Sequence, residues 1–123
     1  MKALVVDDSM LIRHTVCRWL EERGFAVEAA CNGAEALETM AAYVPDVIIT
    51  DMEMPQMTGP ELIFKLRSQP HTADIPIVIL AGKRSALSMG AQCRAHYTIF
   101  KDIDIETQLQ HAVTSLAAKR TGN

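Results

Sequence analysis

The chain has little that would mark it for nucleic acid, for a membrane or for export. Twelve Lys and Arg against fifteen Asp and Glu leave a formal net charge of −3, and no basic run exceeds two residues. The concentrated basic face that nucleic-acid binding requires is therefore missing. Only Cys17, Cys31 and Cys93 represent cysteine, far apart and without a C-x-x-C. An odd, scattered set in a chain with no signal peptide predicts reduced thiols in the cytoplasm, each serving as a small buried hydrophobe. His14, His71, His96 and His111 lack metal-ligand spacing and are expected at the surface or its boundary. No apolar stretch approaches the ~20 residues of a membrane span. Linkers, repeats and low-complexity segments are absent too, so residues 1–123 are expected to form one domain around one sizeable core.

What is there is a strict alternation. Short apolar runs recur as ALVV (3–6), FAVEAA (25–30), VIIT (47–50), PIVIL (76–80) and YTIF (97–100). Each is too short for a helix and bounded by polar, Gly or Pro signals, which predicts strands. The first, third and fourth are nearly all apolar, as parallel strands covered on both faces should be. Between them, residues 9–23 place Ile12, Val16, Trp19 and Leu20 on one helical face before Gly24. Asn32 with Glu35 starts a helix over 33–42, and Thr58-Gly-Pro-Glu61 forms a capping box for a helix that must end before Pro70. A short helix is expected over 84–93. Another over 105–118 carries Ile105, Leu109, Val113 and Leu116 at helical spacing. Five β-α units give a flavodoxin-like (βα)5 doubly wound α/β sandwich with a five-stranded parallel sheet.

In such a fold ligands bind beyond the carboxyl ends of the strands. Strand 1 ends in Asp7-Asp8, strand 3 in Asp51, strand 4 in Ala81-Gly82 and strand 5 in Lys101. Taken singly, each has a bland explanation: a helix cap for Asp7 or Asp8, a turn residue for Asp51, a solvated charge for Lys101. Taken together, three acids and a lysine converge on one sheet edge. Close carboxylates repel unless a cation sits among them, and Mg2+ accepts a few carboxylates together with carbonyl and water oxygens.

The stretches VVDDS at the first strand and DMEMPQMTG after the third, with Lys101 after the fifth, resemble the receiver domain of two-component response regulators. The resemblance runs over essentially the whole chain. It implies a Mg2+-dependent phosphoacceptor, Asp51, that takes a phosphoryl group from a histidine kinase or phosphotransfer protein to form an acyl phosphate. By the same likeness Asp8 would ligate Mg2+ directly, Asp7 mainly through water, and Glu53 through its backbone carbonyl. Lys101 would pair with the phosphoryl oxygens. These residue types suit phosphoryl transfer, which asks a protein mostly to place an in-line nucleophile and to neutralise charge.

The chain departs from the family's pattern in one region. Where a Thr or Ser hydroxyl usually ends strand 4 stands Ala81, which cannot make a hydrogen bond worth roughly 1.5–3 kcal/mol to a charged group. The Gly82 amide can still donate to a phosphoryl oxygen. The family's inward-swinging aromatic falls on Thr98, with Tyr97 one place earlier and facing the opposite side unless a one-residue bulge intervenes. Lys101-Asp102 replaces the usual Lys-Pro, whose bond is typically cis. Without proline that costs ~3–4 kcal/mol, so a trans bond and a rearranged 101–104 loop are expected. The segment from Ala81 to Lys101 is about two residues short of the family norm, and Arg94 replaces a usual glycine. Glu53 and Lys83 flank the expected pocket mouth, where they could pair, stay solvated, or let Lys83 contact the phosphoryl group. All but Glu53 lie between strand 4 and the last helix, the face through which receivers commonly dimerise or meet output partners.

A rival reading, favoured by Ala81 and Thr98, is a receiver-like interaction module that signals without phosphorylation. A turnover phosphatase is poorly supported, because only Glu53 stands near where its general acid would be. The chain is not expected to be a conventional turnover enzyme. It closes in AAKRTGN just past the last helix, as a stand-alone receiver or a piece of a longer regulator would.

Overall fold

The computed structural model of the protein describes residues 1–52, 59–70, 72–81, 97–100 and 104–121, and five strands and four helices lie among these described residues. The order is β1 (Lys2–Val6), α1 (Met10–Glu21), β2 (Ala26–Ala30), α2 (Gly33–Met40), β3 (Val47–Asp51), α3 (Gly59–Arg67), β4 (Ile77–Ala81), β5 (Tyr97–Phe100) and α4 (Ile105–Thr121). All neighbouring strands are parallel, in the order β2-β1-β3-β4-β5. The three nearly all-apolar runs are the three interior strands. β3 and β4 are buried throughout, whereas edge strand β2 exposes Ala26, Glu28 and Ala29. A strand covered on both faces offers few positions for a polar side chain, here only Thr50 and Asp51 at the end of β3, and an edge strand offers several.

Strand alternation divides the buried residues into two cores. Leu4, Val6, Ile48, Ile77 and Ile79 pack with Ala36 and Met40 of α2 and with Leu62, Ile63 and Leu66 of α3. Ala3, Val5, Val47, Ile49, Val78, Leu80 and Ile99 point the other way, onto Val16, Trp19 and Leu20 of α1 and Leu109 and Ala112 of α4. This is the doubly wound sandwich. Each fully buried Leu, Ile or Val contributes roughly 1.5–3 kcal/mol through burial, so both layers are needed to hold the central strands rigid.

The helix ends follow local chemistry. Ser9 caps α1, its side chain accepting from the Ile12 amide at 3.4 Å. The cap is therefore Ser9 rather than either acid of the Asp7-Asp8 pair. Past α1, Gly24 takes φ +87°, and the Phe25 amide turns back to the Leu20 carbonyl at 3.1 Å. A side chain would be strained there. Asn32 accepts from the Glu35 amide at 2.8 Å, and Glu35 reaches back to the Cys31 amide at 3.3 Å. That is a capping box displaced by one residue, with the return bond landing before the cap.

Some expectations need correcting or fall elsewhere. α2 closes at Met40 rather than residue 42, and α4 runs three residues past 118. Cys17 is half-buried and packs against the core formed with α1 and α4, as a small hydrophobe should, whereas Cys31 is half-buried outside both cores. Cys31 donates its thiol to Glu35 Oε2 at 3.0 Å, and that bond, with some burial, pushes its pKa up. His14 and His111 are exposed as expected. The 84–93 helix, Thr58, Cys93, His71 and His96 lie outside the described residues.

Candidate functional site

Strand order reverses between β1 and β3: from β1 the chain crosses first to β2 on one side, then to β3 on the other. The crevice at such a reversal, beyond the carboxyl ends, is where open α/β sheets bind ligands. β1 and β3 pair from Ala3↔Val47 to Val6↔Thr50, so Asp7 and Asp51 come one step beyond the last pair. Asp7, Asp8 and Asp51 each offer a carboxylate oxygen within 4.8 Å of the others. Asp7 is 0% exposed, Asp51 is 4% exposed, and Asp8 opens to solvent.

Backbone bonds from the flanking strands hold this edge. The Asp7 amide donates to the Ala30 carbonyl of β2 at 3.1 Å, and the Met52 amide donates to the Leu80 carbonyl of β4 at 2.9 Å. Asp7 Oδ1 accepts from the Ser9 amide at 2.8 Å, and the Asp7 carbonyl accepts from Arg13 Nη1 at 2.8 Å. No hydrogen bond from the described residues reaches the buried Oδ2. Sequence reasoning missed both Ser9 and Arg13. Ser9 carried a signal, a capping residue directly before helical periodicity. Arg13 carried none, because its partner is a main-chain carbonyl.

The donor set is all carboxylate oxygen, with no imidazole or thiolate, which suits a hard cation rather than zinc. Mg2+–oxygen bonds of 2.0–2.1 Å set opposite ligands of an octahedron about 4 Å apart. A cluster spanning at most 4.8 Å therefore fits such an ion with little movement. Among the described residues this is the one grouping of three potential metal-ligating side chains.

The remaining positions divide. Ala81 ends β4 fully buried, one step beyond the Asp51↔Leu80 pair. β5 pairs with β4 residue for residue, Tyr97 with Val78, Thr98 with Ile79 and Phe100 with Ala81, so no bulge lies within Tyr97–Phe100. Glu53, Gly82, Lys83, Arg94, Lys101 and the Lys101–Asp102 bond lie outside the described residues. Asp104, the last residue of the expected 101–104 loop, directly precedes α4 and caps its first turn: it accepts from the Thr107 amide at 3.3 Å and from the Thr107 hydroxyl at 2.7 Å. Those bonds hold its carboxyl below the ordinary carboxylate value.

The model of the response regulator receiver domain matches residues 3–114. The chain belongs to that family. Receiver domains serve two-component signalling as phosphoacceptors, bind Mg2+ at an acidic pocket, and meet histidine kinases or phosphotransfer proteins. Among curated relatives, the response regulator MprA of Mycobacterium avium is 39% identical over 85 residues, 69% of this chain and 36% of its own length. A probable cyclic di-GMP phosphodiesterase of Vibrio cholerae is 32% identical over 120 residues, 96% of this chain and 27% of its own. This receiver thus spans about a third of the curated relatives it matches. Of solved structures, the signal receiver domain of a signal transduction histidine kinase from Syntrophus aciditrophicus superposes with a TM-score of 0.84 at 31% identity, covering 96% of this chain and 90% of that one. The chemotaxis response regulator CheY4 of Vibrio cholerae gives 0.78 at 34% identity, covering 94% and 97%. No helix among the described residues is long and apolar enough to cross a membrane.

Proposed function

We propose that this receiver accepts a phosphoryl group on Asp51 from a histidine kinase or phosphotransfer protein. The observation that carries the reading is the meeting of Asp7, Asp8 and Asp51 within 4.8 Å at the reversal point of the sheet. Asp51 is the nucleophile: one carboxylate oxygen attacks phosphorus in line, the bond to the donor breaks, and an acyl phosphate remains. Asp7, Asp8, Asp51 and the Glu53 carbonyl would hold Mg2+, which when bound neutralises charge on the transferring group. Lys101 and the Gly82 amide contact the phosphoryl oxygens, and Lys83 is a further contact. The domain promotes its own phosphorylation and dephosphorylation in the cytoplasm and is not a turnover enzyme.

Its output is atypical. Ala81 offers no hydroxyl, and unbulged pairing keeps Thr98, not Tyr97, opposite Ile79. The signal therefore leaves by another change on the face between β4 and α4, toward a second copy or an output partner. The same two residues support a second reading, an interaction module that works without phosphorylation.

Intact mass after incubation with Mg2+ and a small-molecule phosphodonor separates the two. A single hydroxylamine-labile adduct that needs Mg2+ and is absent from Asp51→Asn supports the phosphoacceptor. Metal binding without an adduct, repeated with cognate kinases, supports the second reading.

A further inference from the structure

Asp7 is held through its amide, its side chain and its carbonyl. Its amide goes to Ala30 of β2, its Oδ1 takes the Ser9 amide, and its carbonyl takes Nη1 of Arg13 at 2.8 Å. Two of these partners are themselves main chain. The third is a half-buried guanidinium from the first turn of α1, whose own amide bonds the Ser9 carbonyl at 2.9 Å. Asp7 is therefore clamped between the end of a strand and the start of a helix.

We infer that Arg13 is a positioning residue for the acid cluster: by holding the Asp7 carbonyl it fixes the Asp7-Asp8 connection so that both carboxylates stand ready for a divalent cation. The inference rests on the metal-binding part of the proposed function. Two opposed effects can be separated. As a nearby positive charge, Arg13 would disfavour a cation. As a charge-assisted donor to a carbonyl, it removes motion from two ligands that the cation would otherwise have to order. Its donor atom engages a main-chain oxygen rather than the carboxylates, which favours ordering over repulsion. Outer partners of metal ligands, when removed, typically cost 10–100-fold in affinity.

The test is calorimetric titration of Mg2+ at fixed ionic strength into wild type, Arg13→Ala, Arg13→Lys and Arg18→Ala, beside melting curves without metal. Arg18 sits on the exposed face of α1, pairing only with Glu22 at 3.9 Å among the described residues, and controls for loss of a helix charge. The expected result is about tenfold weaker Mg2+ binding in Arg13→Ala, substantial recovery in Arg13→Lys, and wild-type affinity in Arg18→Ala. Should Arg13→Ala not fold, Arg13→Met, which keeps the apolar stem and drops the donor, should show the same loss. A merely structural role would lower the melting temperature and leave the affinity of the folded protein unchanged. Unchanged or tighter binding in the alanine or methionine variant overturns the inference while the metal site stands. No Mg2+ uptake by wild type overturns both.

Discussion

Replacing Asp51 by Asn should make the metal-free protein more stable and, at the same time, deaf to Mg2+. Asn keeps the shape of the side chain and removes one of three clustered charges. Two unit charges 4.8 Å apart repel by about 3.5 kcal/mol at an effective dielectric of 20 and by about 0.9 kcal/mol in bulk water. Asp7 and Asp51 are almost fully buried, so their pair belongs toward the first figure, while the pair with exposed Asp8 belongs toward the second. Favourable contacts that Asp51 makes must be subtracted. A net gain of about 1–2 kcal/mol is expected, or about 3–10 °C in melting temperature for a domain of this size.

The same variant would lose one of the proposed Mg2+ ligands. Mg2+ at ten times its dissociation constant stabilises a folded state by about 1.4 kcal/mol, and that increment should shrink or vanish in Asp51→Asn. Thermal melts with chelator and with a Mg2+ series measure both effects on one sample pair. If Asp51→Asn is less stable than wild type in chelator, the acids are already compensated within the protein and the repulsion argument is wrong.

Four further outcomes follow from local geometry. The Asp104 carboxyl, held down by the Thr107 hydroxyl and amide, has a folded pKa below its ordinary 3.8; its contribution is present at neutral pH and drains away as pH falls through and below that value, so acid melts should steepen there in wild type relative to Asp104→Ala. The Cys31 thiol, pushed up by its bond to Glu35, should alkylate faster near pH 8 in Glu35→Gln, followed by peptide mass; equal rates would exclude that bond as the cause. Tyr43→Phe removes a hydroxyl donated to the Ala26 carbonyl at 2.8 Å and the Ala3 carbonyl at 3.3 Å, and chemical denaturation should show a loss of about 0.5–1.5 kcal/mol. Ala81→Thr returns a hydroxyl to the end of β4, and amide exchange should differ more between its unmodified and phosphorylated forms than it does in wild type.

What could be read from the chain was whatever local chemistry dictates. Nearly all-apolar strands had to be interior, so β1, β3 and β4 were identifiable before their order was known, and Asn32 or Gly24 marked helix ends by conformational preference alone. The acid cluster was legible because the fold class fixes which ends of strands meet, and two of those ends, of β1 and β3, carried the three acids. Ser9 was overshadowed by the two acids before it, either of which could have capped α1. Asp104 was overshadowed by the expected loop. Cys31 was misplaced because burial was inferred from residue type, whereas its position just past an edge strand gives its thiol a carboxylate partner. Arg13 lay beyond any pattern, since a side chain bonding a main-chain carbonyl six residues earlier leaves no mark in hydropathy or spacing.

The way the acids are mounted explains how a costly cluster persists in a small domain. Three carboxylates within 4.8 Å of one another oppose folding, yet they occupy strand ends whose backbones are secured from outside, Asp7 by β2 and the residue after Asp51 by β4. These bonds involve no acid side chain. The cores that hold β1 and β3 side by side lie beneath the edge, in Leu4, Val6 and Ile48 on one face and Val5, Val47 and Ile49 on the other. Repulsion among the side chains is therefore resisted by main-chain bonds and apolar packing that no cation or phosphoryl group has to supply. On the proposed reading, in which metal and modification change the charge at this site, the scaffold stays folded throughout, and that independence is what a domain read by its charge state requires.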